Sequence, residues 1–421
     1  MPKTVKMPQP SSATEAVRLI QDQAQKDRAK IIKFFREIVA IPSMDSKIGP
    51  VGRRIAKEMK ALGFQNVGFD KMGNIYGRIG KGSKVLLYDS HIDTVGLGDP
   101  KAWKWDPFKG KVENDILYAR GACDEKCSTP GMIYGLAYAQ RMGLLDGWTA
   151  YYFGNMEEWC DGIAPNSLHK TEKIAPDFVV IGEPTRMQIY RGHRGRLELE
   201  VVAKGKACHA SMPHLGDNAI YKMSRFIQDV EALGPRIHED PFLGRGTAVV
   251  SIIESKSPSI NAVPDECTVY IDRRTTFGET KESVLEQFRG LPTAKDVEIK
   301  EMFYDTPSYT GFVFKVDKYF PAWCLPEEHP LVQGGLETRR LLGLDTKYPF
   351  PFKDRTPGES YRWDFSTNAT YWAGKAGIPS IGFGPSNEVY AHTVLDQCSL
   401  EELVDSVGFY ALFPSLLKKK I

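Results

Sequence analysis

Short apolar runs that end just before an acidic residue or a histidine constrain this chain more than any other feature. Val85-Leu86-Leu87-Tyr88 leads into Ser90-His91-Ile92-Asp93-Thr94-Val95, the stretch around Trp148 to Phe153 leads into Glu157-Glu158, and Phe178-Val179-Val180-Ile181 leads into Gly182-Glu183-Pro184. Ile116-Leu117-Tyr118 precedes Asp124, and Gly377-Ile378-Pro379-Ser380-Ile381-Gly382-Phe383 precedes His392. Runs this short and apolar read as buried strands. Helix-length segments separate them. Val17, Ile20, Ile31, Ile32, Phe35 and Ile38 fall on helical spacing before Pro42. Further helices are expected from about 49 to Leu62, stopped by Gly63, over 130–144, and at the end over 400–417. Strands alternating with helices predict an α/β fold, a mostly parallel sheet covered on both faces. Its carboxyl rim, where open α/β sheets bind ligands, would then gather the acidic and imidazole groups.

Near Gly195 the pattern changes. Leu197-Glu198-Leu199-Glu200-Val201 alternates apolar and charged residues, which suits a sheet with one wet face. The order that follows, β-α-β-β-α-β, is that of a split βαβ, ferredoxin-like sandwich. The expected division is 1–195 for the first part of one domain, 196–308 for an inserted α+β domain, and 309–421 for the remainder. Residues 1 to about 10 hold three prolines and read as a loose arm.

A chain of 421 residues exceeds one ordinary core. Its 55 basic and 53 acidic residues nearly cancel, and no basic stripe is interleaved with aromatics, so nucleic acid is not an expected partner. The seven cysteines are scattered without a Cys-x-x-Cys pair, which points to reduced thiols and a cytoplasmic setting. No signal-peptide core or membrane-length apolar run is visible, so no membrane association is expected.

The chemistry lies in the rim residues. His91 and Asp93, two apart on extended chain, share a face. Asp93 could ligate beside His91 or grip its other ring nitrogen. Asp124 or Glu183 alone could be a helix cap or a solvated loop residue. Adjacent Glu157 and Glu158 repel unless solvated or neutralised by a cation. Imidazoles and carboxylates without thiolate spacing suit Zn²⁺, Mn²⁺ or Co²⁺. Five such ligands hold two ions bridged by one carboxylate more naturally than one ion.

The ordered set Ser-His-Ile-Asp-Thr-Val, Gly-Ala-Cys-Asp-Glu-Lys, Glu-Glu, Ile-Gly-Glu-Pro-Thr and Ala-His-Thr resembles the co-catalytic zinc aminoacylases. That family includes acetylornithine deacetylase, succinyl-diaminopimelate desuccinylase, a glutamate-releasing carboxypeptidase and di- and tripeptidases, with a selenium-metabolism-linked hydrolase branch as the nearest group. The resemblance spans about 30–395 and implies a metallohydrolase catalytic domain with an inserted lid and dimerisation domain. It implies that Asp124 bridges two metal ions, with His91 and Glu183 on one, and Glu158 and His392 on the other. Asp93 would buttress His91, and Glu157 would be the general base. In the inserted domain, Gly205-Lys206-Ala207-Cys208-His209-Ala210-Ser211 matches the lid motif, so His209 would stabilise the oxyanion from a partner subunit. Asn261 and Arg274 would hold the substrate carboxylate, Arg274 fitting the register better than Arg273, and Gly384 would line the same pocket. Two features depart from the family pattern: the cysteines at 123, 127, 160 and 208, close to the ligands, and Thr367-Asn368 in place of Thr-Asp.

The expected protein is a dinuclear metal amidohydrolase, with Zn²⁺ the first expectation and Co²⁺ or Mn²⁺ the alternatives. Its substrate would be a small N-acyl or N-carbamoyl amino acid with a free carboxylate, and it would dimerise through the inserted domain. The alternatives are a di- or tripeptidase or carboxypeptidase on the same metals, and a metal-free binding protein on this fold.

Overall fold

Helix boundaries follow the local signals. In the computed structural model, which describes residues 7–158, 160–349 and 360–421, the first helix runs Ala13–Val39 with Ser12 capping it. Residues 1–6 of the expected arm lie outside the described residues. The second helix, Gly49–Leu62, ends at Gly63 with φ of 98°, a left-handed conformation glycine adopts without a Cβ clash. The last, Leu400–Leu417, buries residues on every side, including Val407, Phe409, Tyr410 and Phe413. A helix apolar all round belongs inside a core, and this one packs against Ser128–Arg141, Ala13–Val39 and Pro330–Leu341. Among the described residues no helix is long and apolar enough to cross a membrane.

Among the described residues nine strands form the large sheet. Its centre is parallel: Trp148–Asn155, Lys84–His91, Phe178–Ile181 and Ser380–Gly382 lie side by side in that order. Its margins are mixed. Ile75–Gly80 and Gln65–Phe69 add antiparallel on one side, and Tyr190–His193 with Trp323–Cys324 on the other. The central strands are buried on both faces, which their unbroken apolar runs require.

One expected rim strand lies elsewhere. Ile116–Tyr118 pairs with Lys111–Glu113 and Gln397–Ser399 in a separate three-stranded sheet. A three-residue apolar run does not say which ladder it joins, so Asp124 reaches the rim by a different route from the other acids.

The inserted unit has its own core, with Leu197, Leu199, Val201, Phe226, Val269, Ile271 and Phe288 among its members. Its antiparallel sheet runs Thr247–Lys256, Glu266–Thr275, Gly195–Lys204, Val297–Glu301, with helices Ala219–Leu233 and Lys281–Arg289. The sheet takes a further strand from beyond residue 308: Tyr319–Phe320 pairs with Gly195–Lys204.

Candidate active site

His91 is the last residue of the strand Lys84–His91, whose neighbour Trp148–Asn155 ends just before Glu157 and Glu158. A buried polar network ties these strand ends together. The Asp89 carboxylate accepts from Asn155 Nδ2 at 2.7 Å, Asn368 Nδ2 at 3.0 Å and Trp372 Nε1 at 2.6 Å. Asn368 Oδ1 accepts from Gly162 N at 2.9 Å, anchoring the segment that follows the paired glutamates. A carboxylate at 368 in place of Asn368 would confront Asp89 inside the protein.

Asp124 arrives on the loop after the side sheet. Asp396 shapes that loop: its carboxylate accepts from Gly121 N and Cys123 N, each at 2.7 Å, and pairs with Arg120 Nη1 at 3.1 Å. Asp396 also lies four residues beyond His392, so one buried acid orders both segments. Glu183 follows Phe178–Ile181, and Gly384 packs directly against the carbonyls of Gly182 and Glu183, where a side chain would collide with backbone. Gly384 therefore supports Glu183, and the cavity described below is lined by other residues.

The two oxygens of Asp124 face two different imidazoles. Oδ1 lies 2.7 Å from His91 Nε2, and Oδ2 lies 3.2 Å from His392 Nε2. Glu183 Oε1 is 3.6 Å from His91 Nε2, and Glu158 Oε2 is 3.2 Å from His392 Nε2. The ligand atoms of His91, Asp124 and Glu183 lie within 4.8 Å of one another, as do those of Asp124, Glu158 and His392. The other ring nitrogen of His91, Nδ1, is 3.4 Å from Asp93 Oδ1, which also accepts from Glu157 N at 3.0 Å. Asp93 thus orients the imidazole and the backbone of Glu157 together. Glu158 is steadied by Val95 N at 3.1 Å.

The charge balance calls for cations. Both carboxylate oxygens of Glu125 and Glu157, and Oε2 of Glu183, are buried without a hydrogen-bond partner among the described residues. Burial, with Glu183 as the strongest repelling charge, pushes both Glu157 and Glu125 well above the usual carboxylate range. Burial and Asp124 do the same to Glu183. Burial opposes ionisation of Asp124 too, but the two imidazoles outweigh it and hold that carboxyl low. Hydrogen bonds to Asp124 and Glu158 push His392 up to about 10. Buried carboxylates this dense are neutralised by protons or by metal ions, and this donor set of nitrogen and oxygen fits two divalent ions sharing Asp124.

Glu125 joins the site although no sequence motif above assigns it a role; Asp124-Glu125 repeats the acidic-doublet signal of Glu157-Glu158. It forms a third cluster with Glu157 and Glu183. The cysteines take no part in these clusters; burial holds the Cys123 and Cys127 thiols well above their usual range. Trp159 lies outside the described residues.

The cluster floors a cavity of about 410 Å³ whose walls include Asp161, Arg196, Arg274, Phe365 and Ser366. A larger groove of about 750 Å³ near Gln9 and Asp146 contains no imidazole, thiol or acidic cluster. Along Glu266–Thr275 side chains alternate: Arg273 is buried against Glu279, and Arg274 faces the cavity. His209 and Asn261 do not line this cavity. They lie together on the exposed surface of the inserted unit, joined by Ala210 N to Asn261 O at 2.8 Å.

Residues 191–300 match the model of the peptidase dimerisation domain of the M20 family. The uncharacterised protein YgeY of Escherichia coli K12 is 39% identical over 400 residues, which cover 94% of this chain and 96% of that one. This chain belongs to the M20 metallopeptidase family. Succinyl-diaminopimelate desuccinylase of Ehrlichia canis is 25% identical, covering 65% of this chain and 75% of that protein. Among solved structures, an M20 family metallo-carboxypeptidase from Sulfolobus solfataricus superposes with a TM-score of 0.70 at 17% identity, over 92% of this chain and 99% of that one. A dinuclear metal binding M20 peptidase of Bacillus subtilis, YXEP, gives 0.68 at 14% identity, over 94% and 100%. This M20 protein is a metal-dependent hydrolase of amide or peptide bonds.

Proposed function

We propose that this M20 hydrolase cleaves the amide bond of a small N-acyl or N-carbamoyl amino acid with a free carboxylate, using two divalent ions, Zn²⁺ first among them. The observation that carries this reading is Asp124, whose two oxygens each face one histidine, beside a Glu157 carboxylate without a hydrogen-bond partner among the described residues. His91 and Glu183 would hold one ion, Glu158 and His392 the other, and Asp124 both. When bound, the ions would supply Lewis-acid stabilisation at the scissile carbonyl and make a water more acidic. Glu157 takes a proton from the attacking water. As the carbon–nitrogen bond breaks, it returns that proton to the departing amine. Asp93 keeps His91 and Glu157 in register. Arg274 holds the substrate carboxylate at the cavity wall, where a planar guanidinium can bind it in two-point fashion.

His209 and Asn261 act from a second copy. The edge strand Thr247–Lys256 exposes Val249, Ile252 and Ile253, and the nearby helix exposes Tyr221. An edge strand with unpaired backbone and apolar side chains favours pairing with its own copy. That pairing supports a homodimer in which each inserted unit serves the partner's cavity.

A hydrolysis screen over acylated amino acids, carbamoyl amino acids and dipeptides, with Zn²⁺, Mn²⁺ and Co²⁺ supplied separately, tests the reading. Turnover of acyl amino acids should exceed that of dipeptides. The reverse ranking supports a peptidase, and no turnover with two ions bound rejects both.

A further inference from the structure

The cavity carries two guanidinium groups on one wall. Arg196 and Arg274 stand directly opposite each other on the antiparallel strands Gly195–Lys204 and Glu266–Thr275. Like charges so placed repel, and a sheet keeps them only with compensation. Arg274 Nε and Nη2 engage Asp272 at 2.7 and 3.0 Å. Arg196 Nη2 lies 3.3 Å from Asp161 Oδ2 and its Nε 3.4 Å from Glu198 Oε1, with the guanidinium 4.4 Å over the Phe320 ring. Arg196 Nε is nonetheless buried without a hydrogen-bond partner among the described residues. Asp161, on the same wall, also accepts from Ser366 Oγ.

Two arginines facing one small cavity exceed what a single carboxylate needs. We propose that Arg196 is a specificity-determining residue that reads a second carboxylate, so that the preferred substrates are dicarboxylic. This rests on the amidohydrolase reading above. Phe320 fixes the plane of the guanidinium, and Asp161 holds it in place while the cavity is empty. A substrate carboxylate can pair with the side of the guanidinium that lines the cavity and reduce the repulsion between the two arginines. A neutral group at that position offers neither. The second carboxylate can belong to the acyl half or to the side chain of the released amino acid, since the guanidinium meets the same chemistry either way.

The test compares matched pairs: N-acetylglutamate with N-acetylglutamine for the amino-acid half, and N-succinylalanine with N-butyrylalanine for the acyl half. The proteins are wild type, Arg196→Gln, Arg196→Lys, and the double variant Arg196→Gln with Asp161→Asn. The double variant removes the pair together, so the net charge beside Glu157 does not change. The ratio of kcat/KM within each pair is one readout. The other is calorimetric affinity for the same compounds on metal-loaded Glu157→Ala protein, with and without Arg196→Gln. Binding without turnover keeps this arm informative even if the hydrolase reading fails. Wild type should favour the acidic member of at least one pair by roughly 10- to 100-fold, the range of a hydrogen bond to a charged group. That preference should collapse in Arg196→Gln and in the double variant, and persist in part in Arg196→Lys. Equal handling of acidic and neutral members by wild type overturns the proposal, as does a preference that survives in both Arg196→Gln proteins.

Discussion

The sheet rim and the inserted unit both carry groups suited to amide hydrolysis, yet they hold them in opposite ways. At the rim, His91, Asp124, Glu158 and Glu183 converge within one chain, locked by Asp89, Asp93 and Asp396 beneath them. On the inserted unit, His209 rests in the open, its Nδ1 2.7 Å from Ser211 Oγ and no metal cluster around it among the described residues. Burial differs in the same sense. Glu125, Glu157 and Glu183 at the rim are pushed up by desolvation, whereas Glu266 on the inserted sheet is pulled down to about 2 by Lys204 and Lys256 at the surface. The contrast teaches that the clustered donors suited to cations all come from one polypeptide, while the proposed oxyanion group would need a second one.

Asp124→Asn is the harshest test of that division. A carboxamide would not offer an anionic oxygen to each of two ions, so bound metal should fall from two ions toward none and hydrolysis should vanish. Elemental analysis that still finds two ions would remove Asp124 as the bridge. Glu157→Ala comes next, expected to lower kcat by about 10²–10⁴-fold with both ions retained. His209→Ala should slow turnover by roughly 10²–10³-fold, the usual loss for an oxyanion donor, again without loss of metal. Mixed dimers of His209→Ala and Glu157→Ala should regain activity, because one of their two sites recovers both groups. Inactive mixed dimers of verified composition would return His209 to a role within its own chain.

Smaller effects separate the two regions by pH. In metal-free protein, burial pushes Asp89 up to about 6 and Asp396 up to about 7, above an ordinary carboxyl near 3.8. Between those values the folded state binds more protons than the unfolded one, so the stability these acids contribute falls as pH rises from about 4 through about 7. For Asp89 the change is about 3 kcal/mol. Glu266 behaves in the opposite sense: its contribution is present above about 4.5 and is lost as pH falls toward 2. Hydrogen exchange read separately at Lys84–His91 and Gly195–Lys204 should show these opposed slopes. Parallel slopes would mean that the two regions share one electrostatic regime.

Asn368→Asp probes the foundation of the rim. It places a second buried carboxylate beside Asp89 and should lower thermal stability, and replacing Asp89 by Asn in the same protein should restore much of the loss. A single variant as stable as wild type would show that Asn368 does not hold these strand ends together.

Local patterning determined most of the elements and the identity of the rim groups. The runs ending at Tyr88, Phe153 and Ile181 are apolar enough to be buried strands, and each is followed within a few residues by a group of a type able to bind cations or protons. The inserted β-α-β-β-α-β order was equally legible, since alternation and helical spacing are properties of neighbouring residues. Tertiary structure alone decided that Ile116–Tyr118 leaves the main sheet, that Asp396 shapes the loop bearing Asp124, and that Glu125 is buried beside Glu183. It also decided that Arg196 faces Arg274 across a strand pair and that Gly384 packs against the carbonyls of Gly182 and Glu183. These are facts of register and of contact between segments far apart in the chain. Periodicity records which face a residue shares with its neighbours, but not which distant segment that face will meet.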